Sequence, residues 1–142
     1  MKLKTKNTSN FARVSEIQLS RGKINTPAFM PVGTNATVKG LTVENLNETG
    51  SEIILGNTFH LMLRPGDNLI KNLGGLHKFI NWEKPILTDS GGFQVWSLGD
   101  LAEISEDGVK FSSPYDGKKI FMRPEDSIMI QENLGSDIIM VF

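Results

Sequence analysis

The sequence predicts an α/β fold built on a parallel sheet. Three observations carry this. Short apolar runs alternate with helical stretches, which is the pattern of βα units. The joints Thr49-Gly50-Ser51-Glu52 and Leu134-Gly135-Ser136-Asp137 look alike, as repeated helix-to-strand connections do. The chain has 142 residues, 39% hydrophobic and 22% charged, enough for one domain with a real core and unlike a disordered chain. Four core strands are read: Ala28–Val32, Ile53–Gly56, Ile86–Thr88 and Ile138–Phe142. A whole (β/α)₈ barrel takes about 250 residues, so four units in this length correspond to its first half. A small doubly wound sheet is the other arrangement they allow.

The elements follow in order. Residues 1–39 carry seven Lys/Arg against Glu16 alone, and the remainder carries eight basic and fifteen acidic residues, so a net charge of −1 hides a basic opening. Such a segment can meet phosphate or can simply be a solvated hairpin. Phe11–Leu19 tends to alternate, Ser20-Arg21-Gly22-Lys23 is a turn, and Ile24–Val32 follows as strand, giving an N-terminal β-hairpin. Pro27 and Pro31 cannot donate to a ladder and belong at strand ends or unpaired positions. Thr42–Gly50 reads as a short helix with Thr42 as N-cap. Ser51–Thr58 reads as a strand buried on both faces. Asp67–Leu73 is helical and stops at Gly74-Gly75. Gly108–Phe121 alternates around Ser113-Pro114 and Asp116-Gly117, which suggests an inserted hairpin. Arg123–Gly135 is the clearest helix, with Pro124 in its first turn and Gly135 at its end. Asp137–Phe142 is apolar, with no turn or polar tail behind it, so the chain is expected to be part of something longer.

Several classes are excluded. No apolar run approaches the roughly 20 residues of a membrane helix, and Met1–Lys6 is basic without an apolar stretch behind it, so it is no secretory signal. There is no cysteine, hence no disulfide framework and no Cys-ligated zinc within these residues.

In parallel βα folds ligands bind beyond the carboxyl ends of the strands. Three segments take that place: Gly33-Thr34-Asn35, Asn57-Thr58-Phe59-His60 and Asp89-Ser90-Gly91-Gly92-Phe93-Gln94. In the last, an acid at a strand end precedes two residues without Cβ, which let a flat ligand approach backbone N–H donors. Phe93 offers a stacking face and Gln94 an amide edge, a set suited to a nucleobase. The same residues also read as an ordinary Asp-Ser-Gly-Gly turn. Asn57 is placed to orient Asp89 from the neighbouring strand, or is a turn residue. His60, among apolar neighbours, reads as a hydrogen-bonded structural histidine, and His77 as surface. Arg64-Pro65-Gly66 suits either a phosphate or a turn. Residues 33–40 lack the closing Gly-Lys-Ser/Thr of a phosphate loop, and no metal-ligand spacing is present.

Together, Pro31-Val32-Gly33-Thr34, Ile54-Leu55-Gly56-Asn57-Thr58-Phe59-His60-Leu61, Leu63-Arg64-Pro65-Gly66, Leu87–Val95 and Gly135-Ser136-Asp137-Ile138 resemble the N-terminal part of the tRNA-guanine transglycosylases, also called queuine tRNA-ribosyltransferases, and most closely the bacterial branch. The resemblance spans nearly the whole chain. It implies that residues 1–142 are the first part of a single (β/α)₈ catalytic domain, and that later barrel strands and a zinc-bearing subdomain lie outside them. It implies exchange of the wobble guanine of certain tRNAs for 7-aminomethyl-7-deazaguanine, in a cytoplasmic enzyme that is a homodimer at full length. The exchange is a double displacement through a covalent enzyme–RNA intermediate. By motif, Asp89 is the residue that handles the proton of the departing and incoming base. Ser90, Gly91, Gly92 and Phe93 form the base-binding loop, Gln94 and Asn57 line the pocket, and Val32 lies near the ribose. The resemblance places a base-recognising Asp directly after Phe142, and the nucleophile, the pocket-closing loop and the zinc ligands further on. These 142 residues by themselves are then expected to be inactive. Two other classes fit the sequence less well. One is a non-catalytic RNA-binding accessory subunit, which would not need the Asp89–Gln94 loop. The other is a hydrolase using Ser90, which lacks a Gly-x-Ser-x-Gly elbow.

Overall fold

The computed structural model describes residues 1–142, Asp100 by its backbone alone. The architecture is mixed α/β, with three sheets, six α-helices and one 3-10 turn among the described residues. The first sheet is antiparallel: β1 (Lys2–Ser9), β2 (Ala12–Leu19) and β3 (Gly22–Thr26), in that order. The sequence did not predict β1. Every residue of it is exposed, so no apolar alternation marks it. It is held by its ladder to β2 and by Lys6, whose Nζ donates to Glu16 at 2.7 Å.

The second sheet is parallel. Its strands are β4 (Val32–Gly33), β5 (Ile54–Gly56), β6 (Ile86–Thr88) and β10 (Ile138–Ile139), ordered β10-β6-β5-β4. Two of them are shorter than the sequence predicts. Residues 28–31 are not strand, since Pro27 and Pro31 have no N–H to give a ladder. Pairing of β10 with β6 ends at Ile139–Thr88. Nor is the strand after Ser51 buried on both faces. Ile54, Gly56, Ile86 and Thr88 are buried, whereas Leu55 and Leu87 on the opposite face are half-buried.

The helices are α1 (Val43–Glu48), α2 (Thr58–Leu63), α3 (Asp67–Asn72), α4 (Leu76–Ile80), α5 (Gly92–Trp96) and α6 (Pro124–Leu134). Thr42 caps α1 by accepting from Asn45 N–H at 3.2 Å. Gly135 ends α6 in the left-handed region, φ 74°, which glycine adopts without Cβ strain. The third sheet, antiparallel, holds β7 (Ala102–Ser105), β8 (Gly108–Ser112) and β9 (Lys119–Met122). Its Val109, Phe111 and Met122 join the main core with Phe59, Leu61, Ile70, Leu76, Trp82 and Leu134.

A second, small cluster of Leu19, Ile24 and Ile53, flanked by Leu87 and Ile138, packs the first sheet against the entry ends of the parallel strands. Asp137 is central there. Its Oδ2 accepts from Ile86 N–H at 2.9 Å and its Oδ1 lies 3.2 Å from Arg21 Nε. His77 Nε2 is 3.0 Å from Oδ2, off the line of a good hydrogen bond. The sequence places His77 at the surface. It is in fact only 7% exposed, turned in at the start of α4 against Asp137. Burial pushes the His77 imidazole below its usual range, against the opposing pull of the Asp137 carboxylate. The folded state therefore holds His77 neutral where the unfolded chain already binds a proton. Its contribution to stability is full above the ordinary histidine pKa of about 6.5 and is lost as pH falls from there through the lower folded value. The urea midpoint should fall on acidification below neutrality, and His77→Gln should flatten that slope. An unchanged slope in the variant would remove His77 as its source.

Candidate active site

Opposite the Asp137 cluster, at the exit ends of β5 and β6, the chain builds a second polar centre. Asp89 follows Thr88 directly, and its N–H donates to Gly56 O at 3.2 Å, which sets it beside the end of β5. Four N–H donors converge on its carboxylate. Oδ1 accepts from Thr58 N–H at 2.9 Å and Gly91 N–H at 3.2 Å. Oδ2 accepts from Asn57 Nδ2 and from Gln94 Nε2, the latter at 2.9 Å. Thr58 Oγ1 donates to the Asp89 carbonyl. Two backbone and two side-chain donors fix both carboxylate oxygens, leaving little rotational freedom to lose when a ligand arrives.

The loop that follows needs its glycines. Gly91 has φ 81°, and a Cβ there would stand 3.2 Å from the Phe59 backbone nitrogen. An L side chain would be strained twice over, by conformation and by contact. Ser90 Oγ accepts from Gly92 N–H at 3.2 Å and pairs with no histidine or carboxylate among the described residues, so nothing activates it as a nucleophile. The Phe93 ring is 71% exposed, 5.8 Å between centroids from the exposed ring of Trp96. The two rings form an uncovered aromatic pair on the segment that follows Asp89.

Asn57, Gln94 and Gly91 thus all donate to Asp89, and Ser90, Gly92 and Phe93 follow on the same segment. Val32 has no hydrogen bond to this group and pairs with Leu55 on the neighbouring strand. It sits on the edge strand β4, 49% exposed, and lines a groove of about 700 Å³ with Pro27, Phe29 and Leu41. His60 is partly buried, its ring edge-on to Phe59 and its Nδ1 3.4 Å from Tyr115 Oη. Sequence reasoning missed Thr58, which supplies two of the bonds around Asp89. Its position next to Asn57, at the mouth of a parallel strand, was the available signal.

A family model described as Queuine tRNA-ribosyltransferase matches residues 7–142. The chain belongs to the queuine tRNA-ribosyltransferase family. Similar relatives bear that same name. They include a protein of Pseudoalteromonas atlantica, 59% identical over the whole chain, one of Idiomarina loihiensis at 58% and one of Shewanella piezotolerans at 56%. The chain covers 38% of the length of each of these relatives. Among the described residues no helix is long and apolar enough to cross a membrane, and no three His, Cys, Asp or Glu are grouped to hold a metal.

Proposed function

We propose that the chain is the N-terminal part of a tRNA-guanine transglycosylase. In this reading it is the first half of a (β/α)₈ barrel in a cytoplasmic, homodimeric enzyme that exchanges the wobble guanine of tRNA for 7-aminomethyl-7-deazaguanine. The observation that carries it is the Asp89 carboxylate, held by four N–H donors at the exit ends of parallel strands, next to an exposed aromatic face. A carboxylate attacks C1′ of the ribose and the bond to guanine breaks. The resulting ester is then attacked by the incoming base, and the carboxylate leaves. The departing guanine gains a proton and the incoming base loses one, so a single residue passing a proton serves both halves. Asp89 takes that role, and Asn57, Thr58 and Gln94 hold it in place. The attacking carboxylate is assigned to residues beyond Phe142, as are the ligands of the structural zinc, and no step here depends on that metal.

A covalent protein–tRNA adduct is the test that separates this enzyme from an accessory RNA-binding subunit. The complete protein, mixed with tRNA and run under denaturing conditions, should show a protein-linked RNA band that added guanine disperses. Absence of the band under conditions where tRNA binds would favour the non-catalytic reading.

Phe93 gives a second test. Phe93→Ala in the complete protein should weaken binding of free guanine by about 1–3 kcal/mol, the usual value of one base stacked on an aromatic ring. Phe93→Tyr keeps the ring face and should bind nearly as the parent does. Equal losses in both variants, read by calorimetric titration, would show that the ring packs rather than stacks.

A further inference from the structure

Gln131 lies within α6 with 0% of its surface exposed, where an apolar residue would be the ordinary occupant. A primary amide has two N–H donors and two acceptor lone pairs, and here all four are used. Oε1 accepts from Met140 N–H at 2.8 Å and from Thr88 Oγ1 at 3.0 Å. Nε2 donates to Met140 O at 2.8 Å and to Ser127 Oγ at 3.2 Å. The Met140 N–H can only donate and its carbonyl can only accept, so the amide has one permitted orientation. That orientation also sets the hydroxyls. Thr88, donating to Gln131, accepts from Ser136 Oγ at 2.7 Å. Ser127, accepting from Gln131, donates to the Ser90 carbonyl at 2.7 Å.

The network joins two segments of the site. On one side, the ladder between β10 and β6 stops at Ile139–Thr88, and the Gln131 amide grips the next residue by both its N–H and its C=O, as a neighbouring strand would. On the other side, the chain of hydrogen bonds ends on Ser90, inside the loop that carries Asp89 and Gly91. The Phe142 ring also lies near this loop, since a Cβ added at Gly92 would stand 3.8 Å from it.

We propose that Gln131 is a positioning residue for the base pocket: it sets the spacing between the Asp89–Gly92 loop and the backbone leaving β10, and so the width available to the base. It touches no reacting group. The proposal rests on the base-exchange reading of the Asp89 site.

The test is base-exchange kinetics in the complete protein with three substitutions. Gln131→Leu removes the four bonds of the amide, and Ser127→Ala removes the arm to Ser90 together with one acceptor of Gln131 Nε2. Asn133→Leu is the control, since Asn133 is buried on the same helix but donates to Asp67 at 2.6 Å, outside the network. The KM for guanine should rise about tenfold in Gln131→Leu and about threefold in Ser127→Ala, the scale of a sub-ångström misplacement, with the KM for tRNA within about twofold. Asn133→Leu should lower the denaturation midpoint and leave the guanine KM within about twofold of the parent. An unchanged guanine KM in Gln131→Leu, or an equal rise in Asn133→Leu, overturns the proposal. If Gln131→Leu does not fold, Ser127→Ala decides by the same readout. If the unsubstituted protein exchanges no base, the functional reading fails instead. Calorimetric binding of guanine then ranks the same variants, and equal affinities overturn the positioning role.

Discussion

Asp89→Asn in the complete protein should reduce exchange of labelled guanine into tRNA by about 10²-fold or more, the usual weight of a positioned general acid–base group. Its fold should persist. The asparagine keeps one oxygen for Thr58 and Gly91 N–H. Its new NH₂ would face the Asn57 and Gln94 amides, which can turn their oxygens towards it. In Gln94 the turn gives a partner to Oε1, which is buried without one, and takes the partner from Nε2. The substitution thus removes proton transfer while leaving each hydrogen bond a replacement. A variant exchanging guanine at close to the parent rate would take the proton role away from Asp89, and a large fall in melting temperature would make the residue structural first.

The largest effect on stability is expected at the other end of the strands. Asp137→Ala removes the acceptor of Ile86 N–H together with the counterpart of Arg21 and His77, at a side chain 6% exposed. A buried N–H left unpaired costs about 1–3 kcal/mol, while Arg21, 46% exposed, returns to water at little cost, so about 1–3 kcal/mol in all is expected from urea unfolding. Asp137→Asn keeps an oxygen for Ile86 and should lose less than half of that. Equal losses in the two variants would place the cost in the charge rather than in the Ile86 bond.

The sequence and the structure agree most where burial and spacing leave marks in composition. Ile86–Thr88 is an apolar run ending in an acid, and the chain does place a strand there with Asp89 at its mouth. Asn57 occupies the equivalent place on the next strand, and the two side chains are hydrogen-bonded. Helices α2, α4 and α5 have five or six residues and no side-chain bond at their N-caps, and the sequence does not show them, whereas α1, as short as α2, is marked by Thr42. The strand β1 buries nothing and so carries no alternation. Nothing in the sequence marks Gln131 as buried, and His77, read as surface, shows the opposite failure. A polar residue in a helix reads as its solvent face, and only the partners supplied from distant segments, Met140 and Thr88 for one and Asp137 for the other, make its burial tolerable.

The most direct test of the account is transfer of radiolabelled guanine by the complete protein into two tRNAs that differ only at the wobble nucleotide. The account predicts acid-precipitable label in the tRNA with guanine at that position, none in the tRNA with adenine there, and loss of label when 7-aminomethyl-7-deazaguanine is added in excess. Label entering both tRNAs alike, or neither while the protein is folded and binds tRNA, would contradict it.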